Sequence, residues 1–350
     1  MFANYQNGAS ARQIAVVIPC FRVTAHVLDV IAGLGSEVTM IFAVDDCCPD
    51  KSGRFIAANC NDQRVTVIHN TTNKGVGGAV MAGYRAALAA GAEVIVKVDG
   101  DGQMDPALVP MIARPVLDGR ADYAKGNRFH SVWNVRTMPG MRLFGNAVLS
   151  FLTKLSSGYW TIFDPTNGYT AIHKEALCRL ELANINERYF FESDMLINLG
   201  NIRAVVADVP MTASYGTETS HLKIRHIIGQ FLGNNLRELG KRLFYTYFLR
   251  DFSLASAQLM LGAILFLFGA SFGGFHWYES VVSGAPATTG TVMIATLPII
   301  LGFQLLLAFL GFDMANEPRM PIQPQPTLQE LIAAGQLSSL PPPRRKAKAL

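Results

Sequence analysis

Ala92-Glu93-Val94-Ile95-Val96-Lys97-Val98 runs directly into Asp99-Gly100-Asp101-Gly102-Gln103. The first seven residues have the β-branched character of a strand, interrupted by one lysine. The next five place two carboxylates, one residue apart, at its carboxyl end, where open α/β sheets bind ligands. Gly100 and Gly102 allow a tight turn and a close approach of backbone to ligand. Asp99, Asp101 and Gln103 offer oxygen acceptors and one amide donor, a set suited to Mg²⁺ or Mn²⁺ holding a diphosphate. The same residues also read as a polar turn ahead of a helix with Asp105 as N-cap and Pro106 at its first position.

Upstream, the pattern repeats. Ile14–Pro19 is a short buried strand ended by proline, and a helix is predicted over Ala25–Leu34. Strand Met40–Val44 runs into Asp45-Asp46, and a short helix covers Gly53–Asn59. Strand Arg64–His69 leads to Asn73-Lys74-Gly75-Val76-Gly77-Gly78 and a helix over Ala79–Ala90. Strands alternating with helices predict a doubly wound, mostly parallel α/β sheet covered on both faces. Each strand ends in a polar or glycine-rich loop, so one sheet edge forms a ligand shelf. Further on, Asp122–Arg128 reads as a strand and turn, Arg142–Leu155 as a helix and Ala204–Val209 as a strand.

The chain has 350 residues, half of them apolar, and a net charge of +4. That charge is too small to argue for nucleic acid, and no basic-aromatic pattern supports it. Five cysteines show no metal-finger spacing, which predicts reduced thiols. Residues 1–13 form a polar tail without the apolar stretch of a signal peptide, so residues 14–225 are expected to be a cytosolic domain. Mean hydropathy is +0.25, and the apolar excess collects after residue 250. Within 251–313, Leu254–Phe275 and Thr291–Phe312 carry no charge. A 22-residue helix spans about 33 Å, enough for a ~30 Å hydrocarbon core. Pro298 and Gln304 in the second stretch suggest a kink or a packed face. The intervening loop has Glu279 and no Lys or Arg, while basic residues flank the pair, so both termini are expected inside. Residues 226–250 mix basic and apolar positions as interfacial helices do. Residues 314–350, proline-rich then basic, are expected to be a disordered tail lightly held on anionic lipid.

Val17-Ile18-Pro19, Asp45-Asp46, Asn73-Lys74-Gly75 and Asp99-Gly100-Asp101-Gly102-Gln103 occur in the order and spacing of family-2 glycosyltransferases. Over residues 14–225 the chain resembles the dolichyl-phosphate mannose synthase and polyprenyl-phosphate glycosyltransferase branch, and its two apolar segments resemble the paired-helix anchor of a bacterial subgroup. The resemblance implies a nucleotide-sugar donor. Asp45, with Asp46 beside it, would meet base or ribose in a slot shaped by Pro19 and Ala43. Lys74 and Lys223 would reach the diphosphate, and Asp101 would contact the metal with Asp99 and Gln103. Arg128 and Arg142 resemble the arginines that hold the acceptor phosphate, joined by Arg136 and Asn146; guanidinium forks suit phosphate. Asp164 matches a loop that closes over the sugar, to orient it or act as base. Asp45-Asp46 and Asp164-Pro165 also read as plain turns, and Lys74 and the arginines as solvated charges. Phe21-Arg22-Val23 departs from the family, which carries a tyrosine-asparagine-glutamate-like run there.

These residues imply an inverting transfer from a nucleotide sugar to a polyprenyl phosphate on the cytosolic leaflet of the inner membrane. A phosphate acceptor is already an anionic nucleophile, so positioning and charge stabilisation suffice. An alternative keeps the donor chemistry but uses a lipid or sugar hydroxyl and an acidic base, for which Glu192 and Asp194 occupy the family's place. A remoter alternative is a non-catalytic membrane scaffold. Two-span anchors of this kind resemble ones that associate as homo-oligomers.

Overall fold

A computed structural model describes residues 13–130, 140–211 and 224–324, the backbone alone at 140–144, 146 and 224–228. Strands β1 (Ile14–Cys20), β2 (Val38–Asp45), β3 (Val65–His69) and β4 (Val94–Lys97) alternate with helices α1 (Val27–Ala32), α2 (Ser52–Asn59) and α3 (Gly75–Ala89). There follow α4 (Val109–Leu117), β5 (Tyr123–Asn127), α5 (Gly140–Ser157), β6 (Thr170–His173), α6 (Lys174–Arg179), α7 (Phe191–Asn201) and β7 (Val206–Pro210). The seven strands lie in the order β3-β2-β1-β4-β6-β5-β7. All pairs are parallel except those of β6, which runs against both β4 and β5.

Helices cover both faces, so the central strands are apolar on both sides. One core gathers Val16, Ile18, Val96 and Ile112; the other gathers Val17, Tyr84, Ile95, Ile172 and Met195. The reversal of β6 matters for function. It brings the loop before Thr170, which contains Asp164, to the same sheet edge as the loops after β1, β2, β4 and β5.

The α3 helix begins at Gly75, four residues ahead of the expected Ala79. The glycine run is therefore its first turn rather than a loop. A Cβ on Gly75 (φ +82°) would lie 2.7 Å from the Glu187 carbonyl, and one on Gly77 would lie 2.4 Å from that of Asn186. Only glycine allows the 186–188 backbone to rest there. The Glu187 carbonyl in turn accepts the N–H groups of Gly77 and Gly78 at 2.9 and 3.2 Å.

Helix α8 (Ile224–Phe244) runs into a π-helical turn, Tyr245–Arg250. One face packs on the domain, with Phe231 edge-to-face against Phe190 at 5.1 Å. Leu232, Leu236 and Phe244 stay exposed on it, and Leu249 and Phe252 follow. Helices α9 (Leu254–Ser283) and α10 (Thr289–Ala315) are both long and apolar enough to cross a membrane. They pack through small residues: a Cβ on Gly302 would meet the Phe266 nitrogen at 2.5 Å, and one on Gly269 the Ala295 carbonyl at 2.7 Å. Close backbone approach at glycine is how helices associate in an apolar medium.

At the end of α10, Asp313 is 3 % exposed and receives four donors: Arg242 Nη1 (2.8 Å) and Nη2 (2.9 Å), Tyr247 Oη (2.5 Å) and Trp160 Nε1 (3.0 Å). The chain beyond it, expected to be disordered from residue 314, is laid against the domain as far as Pro324. Thr161 N–H donates to Glu317 at 2.9 Å. Ile322 and Gln323 donate their backbone N–H groups to the fully buried Asp122, and Gln323 Nε2 donates to the carbonyls of Ala121 (2.6 Å) and Val116 (3.1 Å). A proline-rich composition predicts disorder only where backbone polar groups find no partners; here they find them.

Candidate functional site

At the carboxyl edge of the sheet a cleft of about 460 Å³ opens between the turn after β1, the start of α3, the Asp99–Asp101 turn and the rim residues Arg188 and Tyr189. That volume is within the range of small-molecule sites. Pro19 and Asp46 line it. Ala43 does not shape it: the side chain is fully buried in the core beneath. Arg188 and Tyr189 gave no sequence signal, because only the glycines of α3 bring their segment to the rim. Where the family departs, Arg22 adopts the left-handed conformation (φ +60°), uncommon for a side-chain-bearing residue, and its N–H donates to Cys48 Sγ at 3.0 Å.

The two acids after β2 play different parts. Asp45 is buried, with Oδ1 accepting the Cys48 N–H and Oδ2 the Gly53 N–H, both at 2.7 Å. Its carboxylate thus closes the turn and holds the start of α2. Asp46 faces the cleft but also accepts from Asn70 Nδ2 (2.8 Å) and from the backbone N–H of Lys74 (3.0 Å) and Gly75 (2.7 Å). It fixes the opening of α3. The Lys74 side chain is exposed and does not line the cleft.

The lysine that interrupts β4 is the anchor of the carboxylate turn. Lys97 is 1 % exposed, with Nζ 2.8 Å from Asp99 Oδ1 and 3.5 Å from Glu192 Oε1, and it donates to the Gly168 carbonyl at 3.2 Å. Burial alone lowers an ammonium pKa, but the Asp99 and Glu192 carboxylates outweigh it and hold Lys97 above the usual lysine range. Gly168 is required beside this group, since a Cβ there would lie 2.4 Å from Lys97 Nζ. Two strands away, the equally buried Lys125 donates to the Asn167 carbonyl, and burial pulls its pKa down to about 8. Two ammonium groups thus clamp consecutive carbonyls of the loop that carries Asp164.

Asp101 is half-exposed on the cleft wall, its Oδ1 accepting the Gln103 N–H at 3.0 Å; Gln103 itself is exposed and does not line the cleft. Among the described residues no three His, Cys, Asp or Glu side chains converge as a cation cage. Asp99 and Asp101 nonetheless fit a divalent ion that completes its shell from a ligand, because Mg²⁺-type sites take one or two carboxylates plus phosphate oxygens and water.

At the end of β5, Arg128 and Asp164 form a bidentate pair: Nε to Oδ2 at 2.8 Å and Nη2 to Oδ1 at 3.0 Å. Asp164 is fully buried, and Arg128 stays part-exposed. The carboxylate orients the guanidinium. Arg142 and Asn146 fall on α5, whose backbone alone is described there, and Arg136 and Lys223 lie outside the described residues. Glu192 and Asp194 open α7, as expected. Asp194 accepts the Asn186 N–H at 2.7 Å, and burial pushes its pKa up to about 6.

Residues 15–180 match the family described as Glycosyl transferase family 2. An undecaprenyl-phosphate mannosyltransferase of Micrococcus luteus is 30 % identical over 174 residues, 49 % of this chain and 70 % of that protein. A polyprenol monophosphomannose synthase of Mycolicibacterium smegmatis is 32 % identical over 175 residues, 49 % of this chain and 65 % of that protein. Among solved structures, glucosyl-3-phosphoglycerate synthase from Mycobacterium tuberculosis, in complex with Mn²⁺, UDP and glucosyl-3-phosphoglycerate, superposes with a TM-score of 0.50 at 18 % identity, covering 69 % of this chain and 86 % of that one. That likeness establishes the same kind of α/β fold. With the family's pattern running from β1 through α6, and with that identity to the Micrococcus protein over more than two thirds of its length, the chain belongs to glycosyltransferase family 2.

Proposed function

We propose that this chain is a membrane-anchored glycosyltransferase that moves a hexose, with inversion, from a nucleotide sugar to the phosphate of a polyprenyl phosphate. The relatives named for polyprenol and undecaprenyl phosphate support the acceptor class. The two long apolar helices support the anchor, and the basic flanks support a cytosolic catalytic domain at the inner membrane. The observation that carries the reading is that Arg128, at the end of β5, lies on the same sheet edge as the Asp99–Asp101 turn after β4.

In this reading the donor occupies the cleft, with Asp46 and Pro19 on one wall and Arg188 and Tyr189 on the rim. Asp99 and Asp101 would hold Mg²⁺ or Mn²⁺ with the diphosphate. When bound, such an ion stabilises the negative charge of a departing nucleoside diphosphate. Lys97, 2.8 Å away, holds the Asp99 carboxylate in place. Arg128, steered by Asp164, receives the acceptor phosphate, with Arg142, Arg136 and Asn146 completing its site and Lys223 reaching the donor side. A phosphate oxygen attacks the anomeric carbon, the bond from that carbon to the diphosphate breaks, and its electron pair leaves with the nucleoside diphosphate. No protein base is needed, because the nucleophile is already an anion; Asp164 is engaged by Arg128.

The test incubates detergent-purified full-length chain with Mn²⁺, a short polyprenyl phosphate and a panel of nucleotide sugars. Released nucleoside diphosphate together with a polyprenyl-phosphate sugar is the expected result. Product formed only on a hydroxyl-bearing lipid overturns the acceptor.

A further inference from the structure

A second concavity, sharing no lining residue with the cleft, lies where the domain meets α8 and the last turn of α10. Gly158, Arg203, Arg242, Arg250, Asp313 and Asn316 surround a space of about 30 Å³. Arg242 is 7 % exposed; its Nη atoms go to Asp313 and the Leu155 carbonyl, but its buried Nε has no hydrogen-bond partner. Arg203, held in the left-handed conformation (φ +57°), reaches Asn316 only at 3.4–3.5 Å. Arg250 reaches the Asn201 carbonyl at 3.4 Å, and its Nε pairs with the exposed Asp251 at 3.1 Å. Asp313, the acid among the lining residues, already accepts four donors, the full capacity of a carboxylate. Arg203 and Arg250, both part-exposed, therefore keep donor capacity beside a space whose carboxylate is saturated, and Arg242 adds an unpaired Nε in the layer beneath.

The space admits a water or two, so its occupant places two or three oxygens inside and leaves its body outside. Helix α9 begins at Leu254, just past Arg250, and α10 ends at Ala315, between Asp313 and Asn316. The mouth is thus at the level where apolar helix gives way to polar chain. Oxygen-bearing anions at that depth of a bilayer are headgroup phosphates, and guanidinium forks bind them bidentately. We infer that this pocket holds the phosphate of an anionic phospholipid, gripped by Arg203 and Arg250 at the mouth with Arg242 Nε behind them. The inference rests on the membrane-anchored reading. The site is separate from the acceptor's: Arg203 precedes β7 at the amino edge of the sheet, whereas Arg128 follows β5 at the carboxyl edge.

The test titrates full-length chain in neutral detergent micelles with dioctanoyl phosphatidylglycerol, dioctanoyl phosphatidylcholine or inorganic phosphate, reading the unfolding temperature. The phosphatidylglycerol is expected to stabilise with a half-saturation at least tenfold below the other two. The R203Q/R250Q variant is expected to lose at least tenfold in that half-saturation. Equal half-saturation for variant and parent overturns the pocket, and inorganic phosphate acting as well as the lipid overturns the lipid source. Should R203Q/R250Q fail to fold, R203K/R250K keeps the charge but loses the forks and is expected to bind several-fold more weakly; parental binding overturns the proposal. A chain that stays monodisperse without detergent would overturn the membrane reading itself, an outcome this titration does not produce.

Discussion

Asp101 and Asp313 are acids in opposite circumstances. Asp101 stands half-exposed on the wall of an open cleft. Asp313 is buried beneath four donors from three parts of the chain. The cleft leaves Asp101 open to a ligand, while Asp46 and Asp99 beside it are held by backbone N–H groups and by Lys97. The junction between domain and apolar helices satisfies its charges internally, and so fixes position. Removing the first kind of group should cost activity and spare the fold, while removing the second should do the reverse.

The largest expected effect tests the cleft. Asp101→Asn should lower nucleoside diphosphate release by roughly 10³-fold if the turn holds a catalytic cation, with unfolding free energy changed by less than about 0.5 kcal/mol. Comparable loss of both would erase the contrast. At the junction, Asp313→Ala leaves Arg242 buried without its partner and should cost about 3–5 kcal/mol of stability in a detergent unfolding assay.

Asp194 sharpens the comparison between them, since it is buried and its carboxylate accepts a backbone N–H from Asn186 without an ion pair to any described residue. Burial raises its folded-state pKa to about 6. The native state then binds the proton more tightly than the unfolded chain, so stability falls as pH rises from about 4 to about 6, by roughly 3 kcal/mol at most, and stays lower above it. Asp194→Asn should remove that slope; an unchanged stability–pH curve would refute the assignment. The smallest effect belongs to the chain beyond α10: Gln323→Ala should cost about 1–2 kcal/mol, because the Ala121 carbonyl loses its side-chain donor and the Val116 carbonyl keeps only the Gly119 N–H.

What could be read from the sequence was what is local. The strands β1 to β4 announce themselves as β-branched runs ending in polar turns, and the Asp99–Gln103 turn follows from its own five residues. Strand β6 has four residues, too few for a period to show, and its reversal is what brings Asp164 to Arg128. Lys97 looked like an interruption because Glu192, its second partner, is 95 positions away. Gly75 and Gly77 looked like a loop because the backbone they accommodate comes from residues 186–188. Asp313 sits just past the uncharged run of α10, and Arg242 looked like one more flanking basic residue. Each of these depends on a contact across the fold that composition does not encode.

Asp122 gathers backbone N–H groups from Val205, Ile322 and Gln323. During synthesis, the first of these donors is made well before the apolar helices and the other two only after them. The carboxylate therefore lacks two of these three donors until the final stretch has emerged. Completion of the domain is thereby tied to synthesis of the two apolar helices, and a chain cut short before them should leave the ribosome with an unfinished seam between β5 and β7.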